Sequence, residues 1–270
     1  MKYKGAVVIT GSSGGAGKVT ALALDELGYK VFACTRSVEE AEELKLGSSK
    51  NLVTLLLDFT NPSSIRQAVL TVDHYVGENG IAALINNATV ITEGPIEFMA
   101  LDDLRWVFEI NVFGQVAMTQ AFLPLIRRGN GRVISVGAIG SNAATPFLSP
   151  LSASRASLES ITESLREELA PWKIPVVFIE PGAFTTLAVK NFALSTERTF
   201  KGMHPRSRVL YGEEYKKFID CAIKVNGKGM ELTKVKDVIL KAVTEKRPKN
   251  KYTIGTDKIA KIRTENKSSK

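Results

Sequence analysis

The run TGSSGGAG, Thr10 to Gly17, is the first place in the chain where residue types and spacing could do chemistry. Glycines at 11, 15 and 17 allow a tight turn, a close approach of backbone to a ligand, and close packing of the next element. A short apolar stretch, GAVVIT (5–10), runs into the turn, and helical periodicity starts at about 15. A helix beginning there aims free N–H groups and the positive end of its dipole at an anion. Strand, glycine turn and helix together predict a cradle for the pyrophosphate of a dinucleotide. Metal chemistry is not expected. Cys34 and Cys221 have no CxxC or histidine-rich neighbour and read as reduced thiols of a cytoplasmic protein.

Positioning such a turn takes a sheet. KVFACT (30–35), LVTLLLD (52–58), IAALIN (81–86), RVISVG (132–137) and PVVFIE (175–180) are short and rich in β-branched residues, as strands buried on both faces are. Helical periodicity fits about 15–27, 38–46, 62–77, 101–126, 151–171 and 234–246. The alternation predicts one α/β domain over 1–270: a doubly wound, Rossmann-type parallel sheet of six to seven strands with helices on both faces. YTIGTD (252–257) is the candidate seventh, edge strand. Residues 183–232 break the rhythm with aromatics scattered among polar residues, and are read as a substrate lid.

Charge narrows the partners. The net charge is +8, but Lys246 to Lys270 alone hold nine basic and two acidic residues. The body is close to neutral, so a nucleic-acid partner is not inferred. Residues 256–270 read as a solvated basic tail without packed structure, contact with an anionic surface being the open alternative. No apolar run approaches the roughly 20 residues that span a bilayer, and the N-terminal stretch is too short for a signal peptide.

The Gly-x-x-x-Gly-x-Gly spacing resembles the short-chain dehydrogenase/reductase family, and further matches occur in that family's order. They are Thr35-Arg36 after the second strand, Asp58 after the third, Asn86-Asn87-Ala88 after the fourth, Asn111 in NVFG, the fifth strand RVISVG, and Pro181-Gly182 with Thr185 after the sixth. AVTEKRPKNKYTIG (242–255) is similar to the C-terminal signature of the retinol and 17β-hydroxysteroid dehydrogenase branch. The resemblance implies a nicotinamide cofactor held by Gly11, Ser12, Ser13, Gly15, Gly17, Asp58, Asn87, Ala88, Arg155, Pro181, Gly182 and Thr185. Arg36 stands where an acidic residue would select NAD, and an arginine suits the 2′-phosphate of NADP(H). Thr89 replaces the glycine of an NNAG motif.

In the family a tyrosine protonates the nascent alkoxide, a serine holds the carbonyl oxygen, a lysine four residues after the tyrosine binds ribose, and an asparagine anchors a relay water. The matching positions are Leu151, Ala138, Arg155 and Asn111, so only the asparagine is kept. Leucine and alanine have no proton or oxygen to offer, whereas arginine keeps a cation and a fork of donors. Ser149 and Ser152 flank Leu151, but each helical step turns a side chain by about 100°, away from the substrate. Ser141, Tyr211, Tyr215 and His204 are the candidate substitute donors. Three functions stay open: non-redox chemistry (cyclisation, isomerisation or elimination) on a small apolar molecule, a catalytically silent nucleotide-binding partner or sensor, and an NADPH-dependent oxidoreductase with its proton donor in the lid. The resemblance also implies a homo-oligomer paired through the helices at 101–126 and 151–171, or a hetero-oligomer with an active homologue.

Overall fold

A computed structural model describes residues 4–137, 144–181, 196–227 and 231–255. Seven strands form one parallel sheet: β1 (Ala6–Ile9), β2 (Lys30–Thr35), β3 (Leu52–Leu56), β4 (Ala83–Asn86), β5 (Arg132–Val136), β6 (Val176–Pro181) and β7 (Lys251–Ile254). Their order is β3-β2-β1-β4-β5-β6-β7. The chain steps outward from β1 to β3 and then restarts on the other side of β1, so β1 and β4 flank the switch point. A ligand crevice belongs beyond their carboxyl ends. Those ends carry Thr10-Gly11 and Asn86-Asn87.

Alternate side chains of each strand feed opposite layers. Val8, Phe32, Leu84 and Val133 pack on α3 (Pro62–Val76), α5 (Gly114–Arg128) and α6 (Ser149–Leu169), through Val72, Met118, Phe122 and Leu169. Val7, Ile9, Val31, Ile85, Ile134 and Val177 face α1 (Gly15–Glu26) and α8 (Leu232–Thr244), through Leu24, Val235 and Ile239. Further helices are α2 (Val38–Lys45), α4 (Leu101–Phe108) and α7 (Pro205–Gly227).

Cys34 shows what burial in this core does to chemistry. Desolvation alone pushes its thiol up to about 12, and a reactive cysteine must be a thiolate. We expect iodoacetamide at pH 8 to leave Cys34 unlabelled in the native protein and to label it fully in denaturant, read by peptide mass spectrometry. Native labelling at a rate within tenfold of the denatured one would refute its burial.

Two segments differ from the expectation. The helix foreseen at 101–126 is broken by a wide, π-helical turn over Glu109–Phe113. That turn lets Asn111 point inward to grip a loop rather than continue the stripe of α4. Residues 183–232 were expected to lack rhythm, yet their described part holds helical residues 196–202 and then the 23-residue α7. Tyr211, Tyr215 and Phe218 lie at i, i+4 and i+7, which is one face of a helix. The edge strand expected in YTIGTD is present one residue early, as β7 beside β6.

Candidate functional site

The site starts with two glycines that no other residue could replace. Gly11 has φ +66°, and a Cβ on it would lie 2.7 Å from Ala88 Cα. On Gly17 a Cβ would lie 2.1 Å from the Gly11 carbonyl oxygen and 2.6 Å from Asn87 Nδ2. Helix α1 therefore touches the turn directly, as a phosphate cradle requires. Asn87 locks it from the β4 side, donating from Nδ2 to the carbonyls of Thr10 (3.1 Å) and Gly11 (3.2 Å). The Thr10 hydroxyl accepts the backbone N–H groups of Asn87 (2.9 Å) and Ala88 (3.1 Å). Gln115 of α5 donates to the Ala88 carbonyl at 2.8 Å. Glycine turn and β4 loop are thus one rigid unit.

The two serines of the turn do different work. Ser12 is buried, and its hydroxyl donates to Ile9 O at 3.0 Å while its N–H donates to Cys34 O. It holds the turn to the sheet. Ser13 is half-buried and its hydroxyl bears on Glu40. Arg36 is exposed but bound: Glu40 accepts its backbone N–H at 2.9 Å and its guanidinium at 3.1 Å. Asp58 accepts the N–H (2.9 Å) and hydroxyl (2.7 Å) of Thr60, shaping the turn into α3 with its side chain exposed.

Asn111 is fully buried in the π-helical turn. Its Oδ1 accepts Val90 N–H at 2.9 Å, and its Nδ2 donates to Val90 O at 2.9 Å and to Ser154 Oγ at 3.2 Å. Ser154 passes the link on to the Leu151 carbonyl at 3.0 Å. The asparagine side chain is a clamp between the β4 loop and the first turn of α6, so any relay water would have to use other atoms. Arg155 is buried one helical turn after half-buried Leu151. Its guanidinium donates to Val136 O at 2.7 Å and to the Thr89 hydroxyl, and its Nε–H has no partner. Burial pulls the group down to about 10, still a cation at neutral pH. Thr89 and Arg155, the two departures that keep polar atoms, therefore touch each other across the cleft.

Of the candidate substitute donors, Tyr211 and His204 are engaged elsewhere, while the Tyr215 hydroxyl is buried without a hydrogen-bond partner among the described residues. Tyr211 is held to Glu97 Oε2 at 2.7 Å, a bond that, with burial, raises its phenol above the usual range. Burial first and the Glu93 carboxylate second push Tyr215 well above it. His204 stacks on Phe98 with ring centres 6.1 Å apart, and its Nδ1 accepts the Arg206 N–H. Phe147, at φ +65°, inserts its ring among Tyr211, Tyr215 and Phe218. These aromatics fasten α7 over the segment ahead of α6. Pro181 ends β6 beside Ile254, while Ala138, Ser141, Gly182 and Thr185 lie outside the described residues. Glu40, Thr10 and Gln115 were not singled out from the sequence. Glu40 had a signal, since it stands four residues after Arg36 in a helix first turn capped by Ser37.

Comparison with known proteins settles the ancestry. Residues 5–196 match the short chain dehydrogenase family. The chain belongs to that family. Among its relatives, retinol dehydrogenase 5 of Mus musculus is 34% identical over 266 residues, covering 93% of this chain and 80% of its own. Dehydrogenase/reductase SDR family member 9 of Homo sapiens is 31% identical over 265 residues, with the same coverage. The 17-beta-hydroxysteroid dehydrogenase type 6 of Rattus norvegicus is 31% identical over 259 residues, again covering 93% and 80%. A short-chain dehydrogenase of Streptomyces avermitilis shares the fold at TM-score 0.78 and 24% identity, over 98% of this chain and 93% of that one. One from Burkholderia cenocepacia in complex with NADP does so at TM-score 0.69 and 24% identity, over 98% and 94%. None of the described helices is long and apolar enough to cross a membrane. The described residues contain no group of three or more His, Cys, Asp or Glu able to hold a metal.

Proposed function

We propose that this short-chain dehydrogenase homologue binds NADP(H) but lacks the serine, tyrosine and lysine of ordinary carbonyl reduction, and acts on a small apolar molecule by non-redox chemistry: cyclisation, isomerisation or elimination. The observation that carries the reading is the pairing of an intact nucleotide cradle with an α6 first turn that offers Leu151 where a proton donor would stand. The fit to the cofactor rests on the cradle that a Cβ at Gly11 or Gly17 would fill, and on the buried, unpartnered Nε–H of Arg155. Gly11, Gly15, Gly17 and the α1 N-terminus would hold the pyrophosphate, Asp58 the adenine end, and Asn87 and Arg155 the nicotinamide ribose. When bound, the nicotinamide supplies a hydride donor or acceptor.

What the residues then do is limited. Arg155 orients hydroxyls and keeps its own proton; Leu151 excludes water and favours an apolar guest held in a reactive pose. A missing general acid lowers the rate by roughly 10²–10⁴, which redirects rather than assists hydride chemistry. A second reading, an oxidoreductase with a relocated donor, is favoured by the names of the relatives, all dehydrogenases. Nucleotide calorimetry alongside NADPH consumption over a panel of ketones and aldehydes tests both. The expected result is nucleotide binding with turnover at least about 100-fold below an ordinary family enzyme. Brisk NADPH consumption that falls on mutating Tyr211, Tyr215 or His204 would establish the second reading instead. We also propose that copies pair through the exposed Leu101, Trp106 and Phe113 of the α4–α5 face.

A further inference from the structure

We infer that Glu40, in the first turn of α2, is a specificity-determining residue that competes with the nucleotide's 2′-phosphate for Arg36 and Ser13. The inference rests on the nucleotide site proposed above.

Three donors surround the place where β2 ends beside the glycine turn. They are the backbone N–H of Arg36, its guanidinium, and the hydroxyl of Ser13; one carboxylate already takes the first two and lies beside the third. Glu40 Oε2 accepts the N–H at 2.9 Å and Oε1 accepts the guanidinium at 3.1 Å. Burial works against the charge on Glu40, but the Arg36 N–H, the guanidinium and the Ser13 hydroxyl outweigh it, and the carboxyl stays below the usual range. It is ionised at neutral pH. The carboxylate is itself well placed, because the Ser37 hydroxyl accepts Glu40 N–H and fixes the start of the helix. Its side chain is 26% exposed against 75% for Arg36, so the anion is the fixed partner and the cation the mobile one.

Charge sets the consequence. Arg36 was expected to welcome a 2′-phosphate, but in the free protein it is already neutralised in cis. A phosphate with close to two negative charges must draw the guanidinium off Glu40 and then sit beside the carboxylate left behind. A ribose carrying a free 2′-hydroxyl meets no such cost, since Glu40 can accept its proton in place of Ser13 or Arg36. Glu39, exposed in the same turn, adds negative charge. The nearby cation Lys18 is committed to Glu43 at 2.5 Å. The site should therefore discriminate weakly between the two nucleotides, and Glu40 should set the balance.

Calorimetric titration of the full chain with NADP and with NAD tests this, using the wild type, Glu40→Gln and Arg36→Ala. Wild-type dissociation constants for the two nucleotides are expected within about tenfold of each other. Glu40→Gln keeps the size of the side chain and removes its charge; it should tighten NADP at least tenfold and leave NAD unchanged or weaker. Arg36→Ala should weaken NADP alone, and thermal melts report whether each variant folds. If both nucleotides bind the wild type and Glu40→Gln leaves their ratio unchanged, the role of Glu40 is overturned while the nucleotide site stands. If neither nucleotide binds any of the three folded proteins, the site itself is wrong and this inference goes with it.

Discussion

Replacing Gly17 with alanine is expected to abolish nucleotide binding and to lower stability. The added methyl carbon would lie 2.1 Å from the Gly11 carbonyl oxygen, 2.6 Å from Asn87 Nδ2 and 2.9 Å from the Gly11 carbonyl carbon. None of these is the loose end of a flexible chain. Gly11 is fixed at φ +66° against Ala88, and Asn87 is held by its bonds to Thr10 and Gly11. Relief therefore requires α1 to back away from the turn, which opens the cradle and strains the packing of Leu24 beneath it. Overpacking of this kind costs about 1–3 kcal/mol, occasionally more. For the nucleotide we expect at least 100-fold weaker binding, since its pyrophosphate depends on the separation of turn and helix. Gly14→Ala is the control. Its backbone is extended at φ −168° and nothing lies within 4 Å of an added Cβ, so folding should be unchanged. A Gly17→Ala protein that melts with the wild type and binds nucleotide normally would remove the glycine turn from the site.

The same geometry shows why some of this protein could be read from its sequence and some could not. The strands were legible because a buried parallel strand must be an apolar run bounded by turns, and KVFACT and RVISVG are such runs. The cradle was legible because positive φ and close approach leave only glycine at residues 11 and 17. The features that escaped depend on contacts between distant residues or on choices among equivalent hydrogen bonds. Nothing local says that the Ser12 hydroxyl turns inward to Ile9 rather than outward to a ligand. The break at Glu109–Phe113 escaped because the apolar stripe of α4 and α5 continues almost in phase across one wide turn. Asn111 was found as a residue but not as a clamp, since its partners Val90 and Ser154 lie 21 and 43 positions away. Helix α7 was missed for a different reason: Tyr211, Tyr215 and Phe218 were seen as scattered aromatics, although their spacing is helical.

Converting Ala138, Leu151 and Arg155 together to serine, tyrosine and lysine is expected to create, or to raise at least 100-fold, NADPH-dependent reduction of ketones. The scaffold for such a gain is in place. The carbonyl of Leu151 is held by Ser154, which is held by Asn111, which is held by the Val90 backbone. A tyrosine introduced by Leu151→Tyr would thus stand at a half-buried position on a turn already braced against the β4 loop. Arg155→Lys replaces a planar fork with a point charge on a flexible stem. Its ammonium, with three donors, can approach a neighbouring phenol and favour the phenolate. Returning a general acid is worth about 10²–10⁴ in rate, and an oxyanion donor about 10²–10³. The two act as a unit, so their factors do not simply multiply. Arg155→Lys alone should give no gain, because it supplies no proton at the substrate. NADPH oxidation monitored by its absorbance over a panel of small ketones reads all of this directly. A wild-type rate equal to that of the triple variant, with both proteins folded and loaded with nucleotide, would show that the unaltered chain already delivers the proton by another group, and the non-redox reading would fall.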